Sequence, residues 1–289
     1  MYDEILFPTD GSEGADTVFD HVLEIAEAHG SRIRVLNVAD TNQPSVVRKG
    51  GDVQDVLREE GKRTVEGPAD RARERGVNVI TEVVQGVPYR RIVDYADSFG
   101  MDLIAMPTHG RRGLERFLLG STTERVVRRA EVPVLTVKPE TDSSIGYPYG
   151  NVLVPTDGSD CARAALSAGV GVVKAERGSL HLVSVIDTTS PGVDLRSDAR
   201  VELEENADRI LGGAVGFAEE AGVDPVSETV EHGESVHEGI LSCIEDNGID
   251  LVVVGTHGRT GFDRYMLGSV TEYLIRTSPV PVLTVREAV

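Results

Sequence analysis

Two stretches of this 289-residue chain hold the residue types that cradle an anion. One reads Gly255-Thr256-His257-Gly258, then nine residues, then Gly268-Ser269-Val270-Thr271-Glu272. The other reads Pro107-Thr108-His109-Gly110 and, at the same spacing, Gly120-Ser121-Thr122-Thr123-Glu124. Glycines let backbone approach a ligand closely and permit positive φ. Ser-x-x-Glu has the form of a capping box, so Ser121 and Ser269 should each open a helix. A helix start offers unpaired N–H groups and the positive end of a dipole, which suits a phosphate. Turn-forming glycines with capping serines would leave the same trace; spaced glycines beside a cap, present twice, favour the cradle.

A second pair of candidates lies upstream. Pro8-Thr9-Asp10-Gly11-Ser12 and Pro155-Thr156-Asp157-Gly158-Ser159 both read as a strand-to-helix turn. Asp is a favoured N-cap there, and a carboxylate at a strand's carboxyl end also faces any crevice above it. His109 and His257 have no Ser or Asp partner at a telling spacing, so they read as turn or ligand-contact residues rather than catalysts. Six Arg against two Glu fall within 111–129. Arg111, Arg112 and Arg116, with Arg259 and Arg264 as the later counterparts of Arg111 and Arg116, could meet phosphates; bridges to neighbouring carboxylates are an equal reading. Arg125, Arg128 and Arg129 fall towards a helix C-terminus, where cations are favoured anyway. No GxxxxGK[ST] or GxGxxG occurs, nor a metal-carboxylate cluster or positioned base.

The elements that must hold these residues are written twice. ILFPTDGS at 5–12 returns as VLVPTDGS at 152–159, the glycine loops return as described, and VPVLTV at 132–137 returns at 280–285. An offset of 147 or 148 throughout is too long for a solenoid, so the chain is expected to be two copies of one domain, 1–139 and 150–289, with 140–149 as linker. Each copy alternates β-branched runs with helical patterns. The runs are Ile5–Phe7, Ile33–Val38, Val79–Val84, Leu103–Met106 and Val132–Val137, then Val152–Val154, Leu180–Ile186, a weaker Val226–Val230, Leu251–Val254 and Val280–Val285. Helical spacing marks Thr17–His29 and Ala199–Ala221. Near-continuous apolar strands alternating with helices predict an α/β fold with a parallel sheet covered on both faces. Ligands in such sheets sit beyond the strand carboxyl ends where strand order reverses, which singles out the loops after the first and fourth strands.

The spacing Gly-x2-Gly-x9-Gly-Ser after the fourth strand, with an Asp closing the first, resembles the universal stress protein family, in its tandem, ATP-binding branch. The resemblance covers both copies. It implies two Rossmann-like, adenine nucleotide alpha hydrolase-like domains, each a five-stranded parallel sheet flanked by helices, and a stress-response role. It also implies ATP, with Mg²⁺ as a possible companion, held by Pro155, Thr156, Asp157, Val185, Gly255, His257, Gly258, Arg259, Gly268, Ser269, Val270 and Thr271. The matching first-half positions are Thr9, Asp10, Val38, Gly110, Arg111, Gly120, Ser121 and Thr122. Pairing of the copies, with each other or with a second chain, is implied through the last strands, 132–137 and 280–285. Pro107 departs from the pattern: it lacks an N–H and fixes φ at about −65°, so the sequence ranks the second-half site ahead of the first.

Composition narrows the partners. With 48 Asp+Glu against 29 Lys+Arg the net charge is −19, which argues against gripping nucleic acid by counterion release. Only 4 of those cations are Lys, and acid excess with little Lys suits a salt-rich cytoplasm. The charge is uneven, −4 over 1–139 and −15 over 140–289. No apolar run reaches the ~18 residues of a membrane helix, and Met1 runs almost directly into Ile5–Phe7 without a secretory apolar core. Cys161 and Cys243 form no CxxC and read as small buried residues of a reducing compartment. The leading expectation is a cytoplasmic ATP-binding sensor or regulator without catalysis. Against it stand a nucleotide-free dimerising module and a slow ATPase.

Overall fold

A computed structural model describes residues 2–41, 46–49, 52–110, 119–139, 146–189, 197–258 and 267–287. The chain divides into two compact units, Tyr2–Asp142 and Ser143–Val289. The first unit runs β1 (Glu4–Pro8), α1 (Glu13–His29), β2 (Arg32–Asp40), β3 (Val46–Lys49), β4 (Asp52–Asp55), α2 (Val56–Glu74), β5 (Val79–Gly86), α3 (Pro88–Phe99), β6 (Leu103–Pro107), α4 (Ser121–Val127) and β7 (Val134–Val137). The second runs β8 (Asn151–Pro155), α5 (Asp160–Glu176), β9 (Ser179–Asp187), α6 (Ser197–Glu220), β10 (Ser227–Gly233), α7 (Val236–Asp246), β11 (Leu251–Gly255), α8 (Ser269–Thr277) and β12 (Val282–Val285).

Each unit is a Rossmann-like α/β domain. The first sheet has the order β7-β6-β1-β2-β5 and the second β12-β11-β8-β9-β10, every neighbouring pair parallel. The central strands are buried over most of their length, with Ile5, Leu6, Phe7, Ile33 and Ile104 at 0% exposure, as near-continuous β-branched and aromatic runs demand when helices cover both faces. Phe7 and Phe19 meet with ring centroids 4.9 Å apart, locking α1 to β1. Helix α1 touches α2 and α3 touches α4, so each pair shares a face of the sheet.

Strand order reverses between β1 and β6 in one unit and between β8 and β11 in the other. The chain winds outward from β1 through β2 to β5, then returns past β1 to β6. The loops leaving β1 and β6 diverge to opposite faces and leave a crevice at their carboxyl ends. One element escapes the sequence reading: β3 and β4 form an antiparallel hairpin, Val46 opposite Asp55, ahead of α2. The last strands begin at Val134 and Val282, two residues later than VPVLTV suggests, because Pro133 and Pro281 have no N–H to give a ladder.

Candidate functional site

In the first unit, a short set of bonds fixes both rims of the crevice. Thr9 N donates to Leu36 O at 2.9 Å and Asn37 Nδ2 to Thr9 O at 2.8 Å, tying the tip of β1 to β2. Gly11 N then donates to Thr9 Oγ1 and Ser12 N to Asp10 Oδ1, both at 3.0 Å, so the chain turns within three residues. Gly11 takes φ 71°, where a side chain would be strained. Opposite, Gly120 N donates to Thr108 O at 2.8 Å and Thr123 Oγ1 to Pro107 O at 3.0 Å, pinning the start of α4 to the tip of β6.

The second unit repeats this. Thr156 N bonds Val183 O at 2.8 Å, two residues before Val185 on β9, and Ser159 N bonds Asp157 Oδ1 at 3.0 Å. Gly268 N bonds Thr256 O at 2.8 Å and Thr271 Oγ1 bonds Gly255 O at 2.7 Å. Pro155, Thr156, Asp157, Gly255, His257, Gly258, Gly268, Ser269, Val270 and Thr271 therefore gather at one switch point. Val185 packs by its side chain against α7, where a Cβ on Gly239 would fall 2.7 Å from Val185 Cγ1. Arg111, Arg112, Arg116, Arg259 and Arg264 lie outside the described residues.

The local chemistry differs from the sequence expectation in three respects. Ser121 and Ser269 open α4 and α8 but cap neither: Gly120 and Gly268 hold the N-cap positions, with no side-chain cap bond. Nor are Asp10 and Asp157 caps. Ser12 and Ser159 fill that role, accepting from Ala15 N at 3.3 Å and Ala162 N at 3.2 Å, because the aspartates spend one oxygen on the preceding turn. Finally, none of Gly110, Gly120, Gly255, Gly258 and Gly268 adopts positive φ.

Close approach, not dihedral freedom, makes these positions glycine. A Cβ on Gly258 would lie 2.6 Å from Asp157 Oδ2, and one on Gly110 would strike Asp10 Oδ2 in the same way. Each aspartate thus lies against the loop from the opposite rim. A Cβ on Gly120 or Gly268 would fall 3.2 Å from the Cα of His109 or His257. Pro107 consequently does not distort its unit. It pairs with Val137 as Gly255 pairs with Val285, and both carbonyls accept from a threonine. Gly255 is glycine because α5 presses on it, a Cβ there lying 2.8 Å from Cys161. In the first unit the strand tip carries the proline ring, and the position equivalent to Cys161 is Gly14. The conformational part of the case against the first crevice is lost; the missing N–H remains.

That crevice encloses a cavity of about 590 Å³. Its lining includes Thr9, Asp10, Val38, Gly110, Gly120, Ser121 and Thr122, every described residue assigned to the first site. Sequence reasoning missed the rest of the wall. From α2 come Leu57, Glu60 and Thr64, from the start of α3 Pro88 and Tyr89, and from α4 Arg125. No spacing signals these, since only packing of helices across the sheet end brings them together. The same holds for Cys161, whose Sγ lies 3.4 Å from His257 Nε2 although 96 residues separate them. His257 Nδ1 and His109 Nδ1 lie 3.2 and 3.1 Å from the hydroxyls of Thr256 and Thr108, both in the loop leaving a strand.

The model of the universal stress protein family matches residues 1–138 and 148–286. The chain is similar to a universal stress protein of Methanocaldococcus jannaschii, 37% identical over 141 residues, which covers 48% of this chain and 83% of that protein. A universal stress protein of Mycobacterium tuberculosis is 28% identical over 245 residues, 80% of this chain and 78% of its own length. A solved universal stress protein from Archaeoglobus fulgidus superposes with a TM-score of 0.73 at 25% identity, covering 99% of both chains.

Proposed function

The chain belongs to the universal stress protein family, a stress-response family, and on that premise we propose that it is a nucleotide-binding regulator. ATP, carried as its Mg²⁺ chelate, occupies the crevice at each sheet's switch point. The observation that carries this reading is the 590 Å³ cavity of the first unit, lined by every described residue that the sequence pattern assigns to nucleotide there. Its volume lies within the range of pockets for small ligands, about 300–1,000 Å³. Val38 and the tip of β2 supply an apolar wall for a base. Asp10 offers a carboxylate for ribose hydroxyls, and the glycines bring backbone amides near the phosphates. The matching turn and loop bonds of the second unit support the same reading there. No residue is assigned a catalytic role, and the protein works by adopting a ligand-dependent state. The edges β7 and β12 of the two sheets are where the copies pair, with each other or with a second chain, and the setting is cytoplasmic.

A ligand at a hundred times its Kd stabilises the native state by about 2.7 kcal/mol. Millimolar Mg-ATP should therefore raise the melting temperature. Gly120→Val with Gly268→Val, which push side chains into the backbone of the facing loops, should abolish the rise. Native mass analysis of freshly purified protein should find adenine nucleotide at up to two per chain. A melt indifferent to ATP across salt concentrations would remove the proposal and leave the fold standing.

A further inference from the structure

Tyr89 stands at the start of α3 with three guanidinium groups around its ring. Arg125 Cζ is 5.2 Å from the ring centroid, Arg129 Cζ 5.0 Å and Arg90 Cζ 5.8 Å. Arg90 Nε also donates to Tyr89 Oη at 3.0 Å. Among the described residues none of these three arginines forms an ion pair, although Arg128 on the same helix takes Glu124 at 2.7 Å. Cation–π attraction holds each guanidinium to the ring but does nothing to relieve their mutual repulsion. The hydrogen bond from Arg90, with the charges of Arg90, Arg129 and Arg125, holds the phenol below its ordinary pKa, in keeping with a strongly positive locale. Asp94 offsets part of the charge of Arg90; in a chain of net charge −19 the remaining concentration of cations calls for an anion.

The cluster borders the cavity, which Tyr89 and Arg125 both line. Arg125 follows Ser121 by one helical turn, and helical side chains lean towards the N-terminus, so its guanidinium is carried back towards the Gly120–Thr122 turn. The rest of the wall has the opposite charge: Asp10, Asp40 and Glu60 line the side formed by β1, β2 and α2. A nucleotide inserted backwards would set its phosphates among three carboxylates. The second unit lacks this polarity. At the positions equivalent to Tyr89, Arg90, Arg125 and Arg129 it has His237, Glu238, Tyr273 and Thr277, and the His237 and Tyr273 rings stack with centroids 3.7 Å apart.

We infer that Arg125 and Arg129, steadied on Tyr89 beside Arg90, bind the distal phosphates of the ligand and make the first crevice selective for a nucleoside polyphosphate over the nucleoside or its monophosphate. The inference rests on the nucleotide reading of the site and assigns the number of phosphates to side chains outside the glycine loop. Titration calorimetry of the full chain with Mg-ATP, AMP and adenosine tests it in a parent carrying Gly268→Val, which closes the second crevice so that the first alone is read. That parent should bind ATP roughly tenfold or more tighter than AMP, as charge-assisted hydrogen bonds imply. Adding Arg125→Ala with Arg129→Ala should bring ATP down to the AMP level while leaving adenosine affinity unchanged. Adding Arg73→Ala with Arg200→Ala instead, which removes the same charge from exposed ion pairs elsewhere, should leave the ATP:AMP ratio as it was. Ligand-free melts confirm that each variant is folded. Equal affinity for ATP and AMP in the parent overturns the inference while the crevice remains an adenosine site, and so does a ratio untouched by the arginine pair. If adenosine, AMP and ATP all fail to bind, the nucleotide reading falls with it.

Discussion

At the scale of single residues, burial decides behaviour that composition leaves open. His21 on α1 is 3% exposed, and desolvation lowers its pKa to about 4 even with the Glu24 carboxylate 3.8 Å from Nδ1. Its ordinary value is 6.5. Between these values the unfolded chain takes a proton that the native state refuses, so stability is held above pH 6.5 and lost as pH falls towards 4. By linkage the loss reaches about 3 kcal/mol at the acid end. His21→Leu should flatten that part of the pH profile. Urea unfolding of parent and variant at neutral pH and near pH 4.5 should give a stability difference that shifts by about 2–3 kcal/mol in favour of the variant; an unchanged difference would mean that His21 is protonated in the fold. Nothing in the sequence around residue 21 marks this histidine as different from the half-buried His29 one helix end away. Tyr89 and Cys161 were equally silent, because their partners are set by helix packing rather than by spacing.

At the scale of elements, most of the architecture was legible. Near-continuous apolar runs marked most strands of both sheets, with Val226–Val230 a weaker trace of β10, and the duplicated turn sequences showed where the chain reverses. What misled was the reading of polar residues at helix starts, where several oxygen-bearing side chains compete for the same few N–H groups. Pro-Thr-Asp-Gly-Ser supplies three candidates for one cap, and the turn geometry hands the cap to Ser12 and Ser159 by occupying Thr9 and Asp10, or Thr156 and Asp157, first. Ser12→Ala and Ser159→Ala should therefore each cost about 1 kcal/mol in denaturant unfolding, the usual toll of a lost cap. Ser121→Ala and Ser269→Ala, which remove no capping bond, should leave ligand-free stability within about 0.5 kcal/mol of wild type. A cost for the second pair equal to that of the first would restore the capping box. The hairpin β3–β4 left no usable trace, since four-residue strands are too short to establish a period.

At the scale of the whole molecule, the two units keep one plan with different surfaces. A charge of −15 over 140–289 against −4 over 1–139 places most self-repulsion in the second unit. Screening shortens from about 10 Å at ~0.1 M salt to about 3 Å at ~1 M, so the melting temperature should climb over that range. Hydrogen exchange should locate the larger gain in the second unit. A chain that grew more stable as salt was removed would show that its acidic surface is not an adaptation to salt.

The close approach of Gly255 to Cys161 constrains how the halves could be recombined. Grafting the first unit's strand tip, with Pro107, onto β11 would drive a pyrrolidine ring into the opening turn of α5, where even a Cβ lies 2.8 Å from Cys161. Such a chimaera would require that helix turn to travel with the strand tip, two segments far apart in the chain that have to be exchanged together.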